Sequence, residues 1–211
     1  MADYTLHCFL ESGNAYKTAL MLQLAGADWE PEWVNFFKGE HRSPEYLAIN
    51  SMGEVPTLVD HTQGDIAISQ SGVQLWHLAD RFEQFAARNA QEHREVLRWI
   101  LFDNHKLTGN IATFRFLNKF MGKGETPEGE FTKARMIQAI KMLDRHLKDR
   151  DWTVGDRVTV ADLSMVGYLM WPDHYGVTWD DYPNIKAWLE RIQALPNFAT
   201  PEEILPSGPK A

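Results

Sequence analysis

The sequence contains one cysteine, Cys8, among 211 residues. A single thiol excludes an intramolecular disulfide and supplies no cysteine spacing for a metal. Cationic residues are outnumbered, 21 Lys and Arg against 29 Asp and Glu, for a formal net charge of −8. No basic cluster interrupts that balance, so nucleic acid and anionic membranes are poor partners. No apolar run approaches the roughly 18 residues of a membrane span. The first residues lack the charged-then-apolar pattern of a signal peptide. His61, His77, His93, His105, His146 and His174 show no His-x-x-x-His spacing, so no metal is expected. Internal repeats and low-complexity segments are also missing. These absences lead to the expectation of a soluble, cytoplasmic globular protein.

What is present is ample apolar material: 44% hydrophobic residues, including eight Trp. The length suits one large domain or two small ones. Tyr4–Phe9 reads as a first strand. Glu11-Ser12-Gly13-Asn14 is a turn able to start a helix, whose face carries Tyr16, Ala19, Leu20 and Leu24 and which ends at Gly26. Trp33–Phe37 is a second β-like run. Ser43-Pro44 predicts the N-cap and first position of a short helix running to Ile49. Thr57–Val59 and Ile66–Ile68, separated by a turn at 61–65, predict a hairpin. A helix follows from Ser71. The order strand, helix, strand, short helix, hairpin, helix predicts an α/β thioredoxin-like N-terminal domain over residues 1–81 with a mixed sheet.

Residues 82–90 read as a linker. From 91 to 211 helical periodicity dominates, which predicts an all-α helical-bundle C-terminal domain. A long helix runs from about Val96 towards Phe120 and is broken at Gly122-Lys123-Gly124. A second spans about Glu128–Lys148. Thr159-Val160-Ala161-Asp162 has the form of a capping box. The helix it opens, reaching about Trp171, is apolar on every side and is expected to be buried. Pro183–Leu195 predicts one more amphipathic helix, and the tail after Pro196 is expected to lie along the surface.

Two features of residues 51–78 suggest a ligand. Proline can adopt the cis form at modest cost. Pro56, placed just before a strand, leaves the N–H and C=O of Val55 facing outward, available to an extended peptide. Ser71 lies where helix N–H groups are unpaired, a place that favours a carboxylate. A plain hairpin followed by a capped helix, with no ligand, accounts for the same residues.

The segments GEHRSPEYLAINSMGEVPTLVD, ISQSGVQLWHLAD, WTVGDRVTVADLSMVGYL and YPNIKAWLERIQALPNF, in that order, resemble the cytosolic glutathione S-transferases. The likeness spans about Tyr4 to Phe198. SGNAYK is most similar to bacterial Ser-type members within the theta-, delta- and nu-like group. The resemblance implies a detoxifying enzyme that conjugates the glutathione thiolate to small hydrophobic electrophiles. Glutathione is then a co-substrate, no cofactor is needed, and a homodimer is expected. It assigns Ser12 to hydrogen bonding with the glutathione sulfur and gives Asn14 a shared part in that role. Val55 pairs through its backbone with the cysteinyl portion, beside Pro56. Gln70 and Ser71 hold the γ-glutamyl end, and His41 and Glu54 lie near the glycyl end. Phe114, Arg115 and Phe116 fall where the family lines its electrophile pocket, although plain helix packing suits them equally. Asp103 could reach the ligand amine from a neighbouring subunit.

Three departures stand out. Gln70 replaces a usual Glu, which weakens the expected hold on the ligand amine. Glu54 replaces a usual cation and would face the glycyl carboxylate, which favours turning that side chain away. Ser51 replaces a frequent proline. Cys8 lies within the strand and reads as a packed small hydrophobe. Two other functions fit the same fold. One is a glutathione-dependent disulfide reductase or peroxidase. The other is a non-enzymatic protein-interaction module, which would tolerate Ser12→Ala.

Overall fold

A computed structural model describes residues 2–209. The chain divides into two compact units. One holds the described residues up to Glu83 together with those from Leu195 onward, and the other is Gln84–Ala194.

The first unit is built on β1 (Tyr4–Cys8), α1 (Gly13–Ala25), β2 (Trp29–Trp33), α2 (Pro44–Ile49), β3 (Thr57–Asp60), β4 (Ile66–Ser69) and α3 (Ser71–Ala79). The sheet order is β2-β1-β3-β4. β1 pairs parallel with β2 and antiparallel with β3, and β3 pairs antiparallel with β4. Parallel β1 and β2 require a crossover, which α1 provides. Leu6 and Leu58 face each other in register and are wholly buried, as are Tyr16, Leu20, Leu75 and Leu78. Cys8 is buried too, and burial pushes its thiol up to about 12, so it is an inert packed group at neutral pH.

Local signals account for most boundaries. Ser43 caps α2 by accepting from the Tyr46 N–H at 3.1 Å, with Pro44 at the first helical position. Gly26 ends α1 at φ 66°, a left-handed conformation that glycine adopts without a Cβ clash. The second strand, expected at Trp33–Phe37, is corrected to Trp29–Trp33, and Phe36–Lys38 is a 3₁₀ turn. Pro31 disguised it. Proline is confined to edge strands because it cannot donate to a ladder, and β2 is an edge.

Asp60 ties the hairpin to α3. Its wholly buried carboxylate accepts from the Thr62 N–H at 2.9 Å and hydroxyl at 2.6 Å, and pairs with His77 Nε2 at 2.8 Å. Burial pushes its pKa up, but hydrogen bonds from Thr62 and His77 outweigh that and hold it below the usual value. A carboxylate with a depressed folded pKa contributes stability in full above its unfolded value, about 4. That contribution is lost as pH falls through the lower folded value. Asp60→Asn is therefore expected to lower stability at neutral pH and flatten its decline below about pH 4. Urea unfolding across that range checks this. An unchanged acid limb would assign acid sensitivity to other carboxylates.

The C-terminal tail was expected on the surface and within the helical domain. Instead it packs with the first unit. The Tyr16 hydroxyl donates to the Ala199 carbonyl at 2.8 Å, the Leu10 N–H to the Pro206 carbonyl at 2.9 Å, and Ala199, Pro201 and Leu205 are buried. Apolar side chains at these positions close over α1, which is too apolar to stand against solvent.

The second unit comprises α4 (Ala90–Phe102), α5 (Thr108–Arg115), α6 (Pro127–Leu147), α7 (Val160–Val166) and α8 (Pro183–Gln193). The expected long helix is present from Ala90 to Phe120, interrupted by π turns at Asp103–Leu107 and Phe116–Phe120. In the first, the wholly buried Asp103 accepts from the Thr108 hydroxyl at 2.6 Å and the Ser164 hydroxyl at 2.7 Å. Gly109 fits this turn, since a Cβ there would lie 2.9 Å from the Asn104 carbonyl oxygen. Asp103 is thus occupied inside its own unit, which corrects the expectation that it reaches out to a ligand.

The capping box is present. Asp162 Oδ2 accepts from the Thr159 N–H at 2.9 Å and hydroxyl at 3.1 Å. Its Oδ1 accepts from the Thr153 N–H at 2.8 Å, the Thr153 hydroxyl at 2.7 Å and the Trp188 indole N–H at 3.0 Å. α7 is buried along its whole length, but it tightens into a 3₁₀ turn at Gly167–Met170 instead of continuing to Trp171. Among the described residues no helix is long and apolar enough to cross a membrane, and no cluster of three or more His, Cys, Asp or Glu could hold a metal.

Candidate active site

Two helix N-termini meet in the first unit. Ser12 caps α1, its Oγ accepting from the Ala15 N–H at 3.1 Å, and it is 3% exposed. Asn14 lies in the first turn, and its Oδ1 accepts from the Ser71 hydroxyl at 3.3 Å, at the start of α3. Neither helix has an acidic residue in its first turn. The first turns of both helices therefore supply no negative charge of their own, and their positive ends favour an anion. The Ser12 hydroxyl accepts in its capping bond and keeps its own proton to donate.

The Val55-Pro56 peptide bond is cis. Among the described residues the Val55 N–H and C=O take no backbone hydrogen-bond partner, so an extended peptide could pair with both. The loop before it is held from behind. The Glu54 carbonyl accepts from the Tyr46 hydroxyl at 2.9 Å and from Asn50 Nδ2 at 2.8 Å, and both donors also bond the Thr57 hydroxyl. Gly53 has φ 60°, and a Cβ there would come within 3.2 Å of the His41 carbonyl oxygen. The His41 ring is buried and stacks on Phe36 at 4.3 Å between centroids, and its Nδ1 has no partner among the described residues. Burial and the nearby Arg42 charge push its pKa down, so it is neutral at pH 7.

Gln70 immediately precedes α3 with φ 67°. A left-handed non-glycine residue costs about 1 kcal/mol or more and often marks a functional position. Its amide Nε2 donates to Glu54 Oε2 at 2.5 Å. The Glu54 side chain is directed at Gln70. Asn14 is thus brought against Ser71, and Glu54 against Gln70, across gaps of 57 and 16 residues.

One residue at this site was missed from the sequence. Gln74, wholly buried in α3, accepts from the Thr18 hydroxyl at 2.7 Å. It donates to the Pro56 carbonyl at 3.0 Å and the Ile68 carbonyl at 2.8 Å. One amide thereby links α1, the cis-proline loop and β4. The available signal was a polar residue beside Leu75 and Leu78 on the inward face of an apolar helix.

The three residues expected to line an electrophile pocket divide in the second unit. Phe114 and Arg115 are 3% and 2% exposed, whereas Phe116 is 44% exposed. The Arg115 guanidinium lies 4.6 Å from the Trp171 ring centroid and 5.7 Å from that of Tyr168, and its Nε donates to His174 Nδ1 at 3.0 Å. The His174 ring proton is therefore on Nε2. Arg115 and Phe114 are packed inside the unit. Phe116 faces outward near Phe120, with ring centroids 6.1 Å apart.

A family model described as glutathione S-transferase, N-terminal domain, matches residues 12–81, and one described as glutathione S-transferase, C-terminal domain, matches residues 107–196. Glutathione S-transferase 1 of Schizosaccharomyces pombe is 31% identical over 80% of this chain and 75% of its own length. A maleylacetoacetate isomerase of Pseudomonas aeruginosa is 31% identical over 92% of each chain. The crystal structure of a glutathione S-transferase from Pseudomonas fluorescens superimposes with a TM-score of 0.88 at 28% identity, over 95% of this chain and 99% of that one. With a mixed four-stranded unit carrying a cis-proline beside paired helix N-termini, and a helical unit following it, the chain belongs to the glutathione S-transferase family of enzymes.

Proposed function

We propose that this enzyme binds glutathione on its first unit and transfers the thiolate to small hydrophobic electrophiles. The observation that carries this reading is the Asn14–Ser71 contact, which joins two acid-free helix N-termini in the unit where the Val55 N–H and C=O take no backbone partner among the described residues. Glutathione offers a matching set of groups: an α-carboxylate for the α3 N-terminus and Ser71, and a peptide backbone for Val55. Its thiol lies towards Ser12. A hydroxyl donor to the sulfur favours the thiolate, which is the nucleophile. With Ser12 both capping α1 and donating to sulfur, Asn14 serves mainly to orient Ser71. His41, neutral and with an unpartnered ring nitrogen, suits a hydrogen bond at the glycyl end. Phe116, with Phe120, is the part of the expected electrophile pocket that exposure supports. A homodimer belongs to the same proposal, and light scattering measures it directly.

Calorimetry with glutathione tests the reading on the native protein, Ser71→Ala and Ser12→Ala. Hydrogen bonds to charged groups contribute about 1.5–3 kcal/mol, so Ser71→Ala is expected to weaken binding by about ten- to a hundredfold. Ser12→Ala is expected to retain binding while the thiolate absorbance titrates at higher pH, nearer the free thiol value of about 8.5. Native protein that binds no glutathione at millimolar concentration would remove the proposal and leave a protein-interaction role. Binding combined with disulfide reduction faster than conjugation would favour the reductase.

A further inference from the structure

We infer that Glu54, held in place by Gln70, supplies the negative charge that takes the ammonium group of the bound γ-glutamyl ligand. This rests on the glutathione reading above and makes its amine end specific. The charge is in the right place and is presented by a built arrangement. The Glu54 backbone is fixed by two hydrogen bonds to its carbonyl, from Tyr46 and Asn50. The side chain is then swung over α3 by the 2.5 Å bond from Gln70 Nε2. Gln70 also directs Nε2 at Met52 Sδ, 3.7 Å away, so both amide hydrogens face the 52–54 loop and the amide oxygen faces the other way.

The consequence follows from the ligand's own chemistry. An α-amino acid carries carboxylate and ammonium on one carbon. A carboxylate bound at Ser71 and the α3 N-terminus therefore brings the ammonium alongside the residue before Ser71, which is Gln70. A neutral amide there supplies only an oxygen acceptor. Glu54 Oε2, in contact with that same amide, supplies the full charge. Gln70 and Glu54 then act as one unit, an acceptor and an anion side by side. The left-handed backbone of Gln70 is consistent with a side chain kept in this orientation for a purpose beyond packing, since both residues are exposed. Exposure also means that neither substitution threatens the core.

The test is calorimetric, with two ligands and three variants. Glutathione carries the ammonium, and N-acetylglutathione, in which the amine is an uncharged amide, does not. Glu54→Gln is expected to weaken glutathione about tenfold while changing N-acetylglutathione by less than about twofold. Gln70→Glu added to Glu54→Gln returns a carboxylate to the same place and is expected to restore glutathione binding. Gln70→Glu alone sets two acids against each other and is expected to bind glutathione no tighter than the native protein. Unchanged glutathione affinity in Glu54→Gln would overturn the inference while leaving the glutathione site standing. So would an equal loss for both ligands, which would mean a structural role. Native protein that binds neither ligand overturns the site reading and this inference together.

Discussion

Asp162→Ala is expected to destabilise the helical unit by about 4 kcal/mol or more. The wholly buried carboxylate is the common acceptor for two backbone N–H groups, two hydroxyls and one indole N–H. Hydroxyls can rotate towards other acceptors. The N–H groups of Thr153, Thr159 and Trp188 cannot, and each buried donor left unsatisfied costs about 1–3 kcal/mol. The three come from the loop before α7, its N-cap and α8, so the loss loosens a junction rather than one helix end. Burial pushes the Asp162 pKa up, and hydrogen bonds from Thr153, Thr159 and Trp188 oppose that shift. Thr159→Ala is the graded control. It removes a cap hydroxyl alone and is expected to cost about 1 kcal/mol. Urea unfolding, followed by tryptophan fluorescence, measures both. A loss for Asp162→Ala no larger than that for Thr159→Ala would mean that water reaches the abandoned donors, and that the residue is an ordinary cap.

The second large effect is expected at Gln74→Leu. The side chains are similar in length, so little cavity is created and the change isolates the hydrogen bonds. The Thr18 hydroxyl loses its acceptor, and the Pro56 and Ile68 carbonyls lose their donors. A cost of about 2–4 kcal/mol is expected in the first unit. The functional consequence is larger than that of an ordinary core change, because two of the three partners position the proposed glutathione cradle. Pro56 sets the Val55 backbone, and Ile68 leads through Ser69 into Gln70 and Ser71. Glutathione affinity is therefore expected to fall by at least about tenfold even under conditions where the variant is fully folded. Gln74→Glu, which keeps the Thr18 acceptor but cannot donate to either carbonyl, is expected to fall with Leu, not with the native protein. If folded Gln74→Leu bound glutathione normally, the cradle would be rigid without this amide, and the residue would be purely a core contact.

Much of this molecule is legible in short stretches of chain. Ser43-Pro44 and Thr159 through Asp162 are helix starts written in consecutive residues, because a capping side chain reaches only two or three positions along the backbone. Val55-Pro56 and Gln70-Ser71 carry the two proposed ligand-binding features for the same reason: peptide geometry and a helix N-terminus are local properties. Apolar runs around a turn gave the hairpin, and helical periodicity gave the long helices. Local reading failed where a residue's neighbour in space is far away in sequence. Trp29–Trp33 was missed because Pro31 argues against a strand unless the strand is an edge, and only the sheet order decides that. Asp103 was open to a role at a ligand until Ser164, 61 residues later, closed over it. Arg115 suited a pocket and plain helix packing equally until Trp171 and His174, 56 and 59 residues on, were seen to pack against it.

The sequence by itself determined the two-part fold class, the helix starts, the proline before the third strand and the family. The first three follow from period, capping and order along the chain, which need no third dimension, and the family from the resemblance of its segments. Only the tertiary structure decided which of the site's residues meet. It brought Asn14 to Ser71, swung Glu54 to Gln70 and placed Gln74 under Pro56. Hydrogen bonds and ion pairs weaken over a few ångströms, and separations of that size between distant residues exist only once the chain has folded.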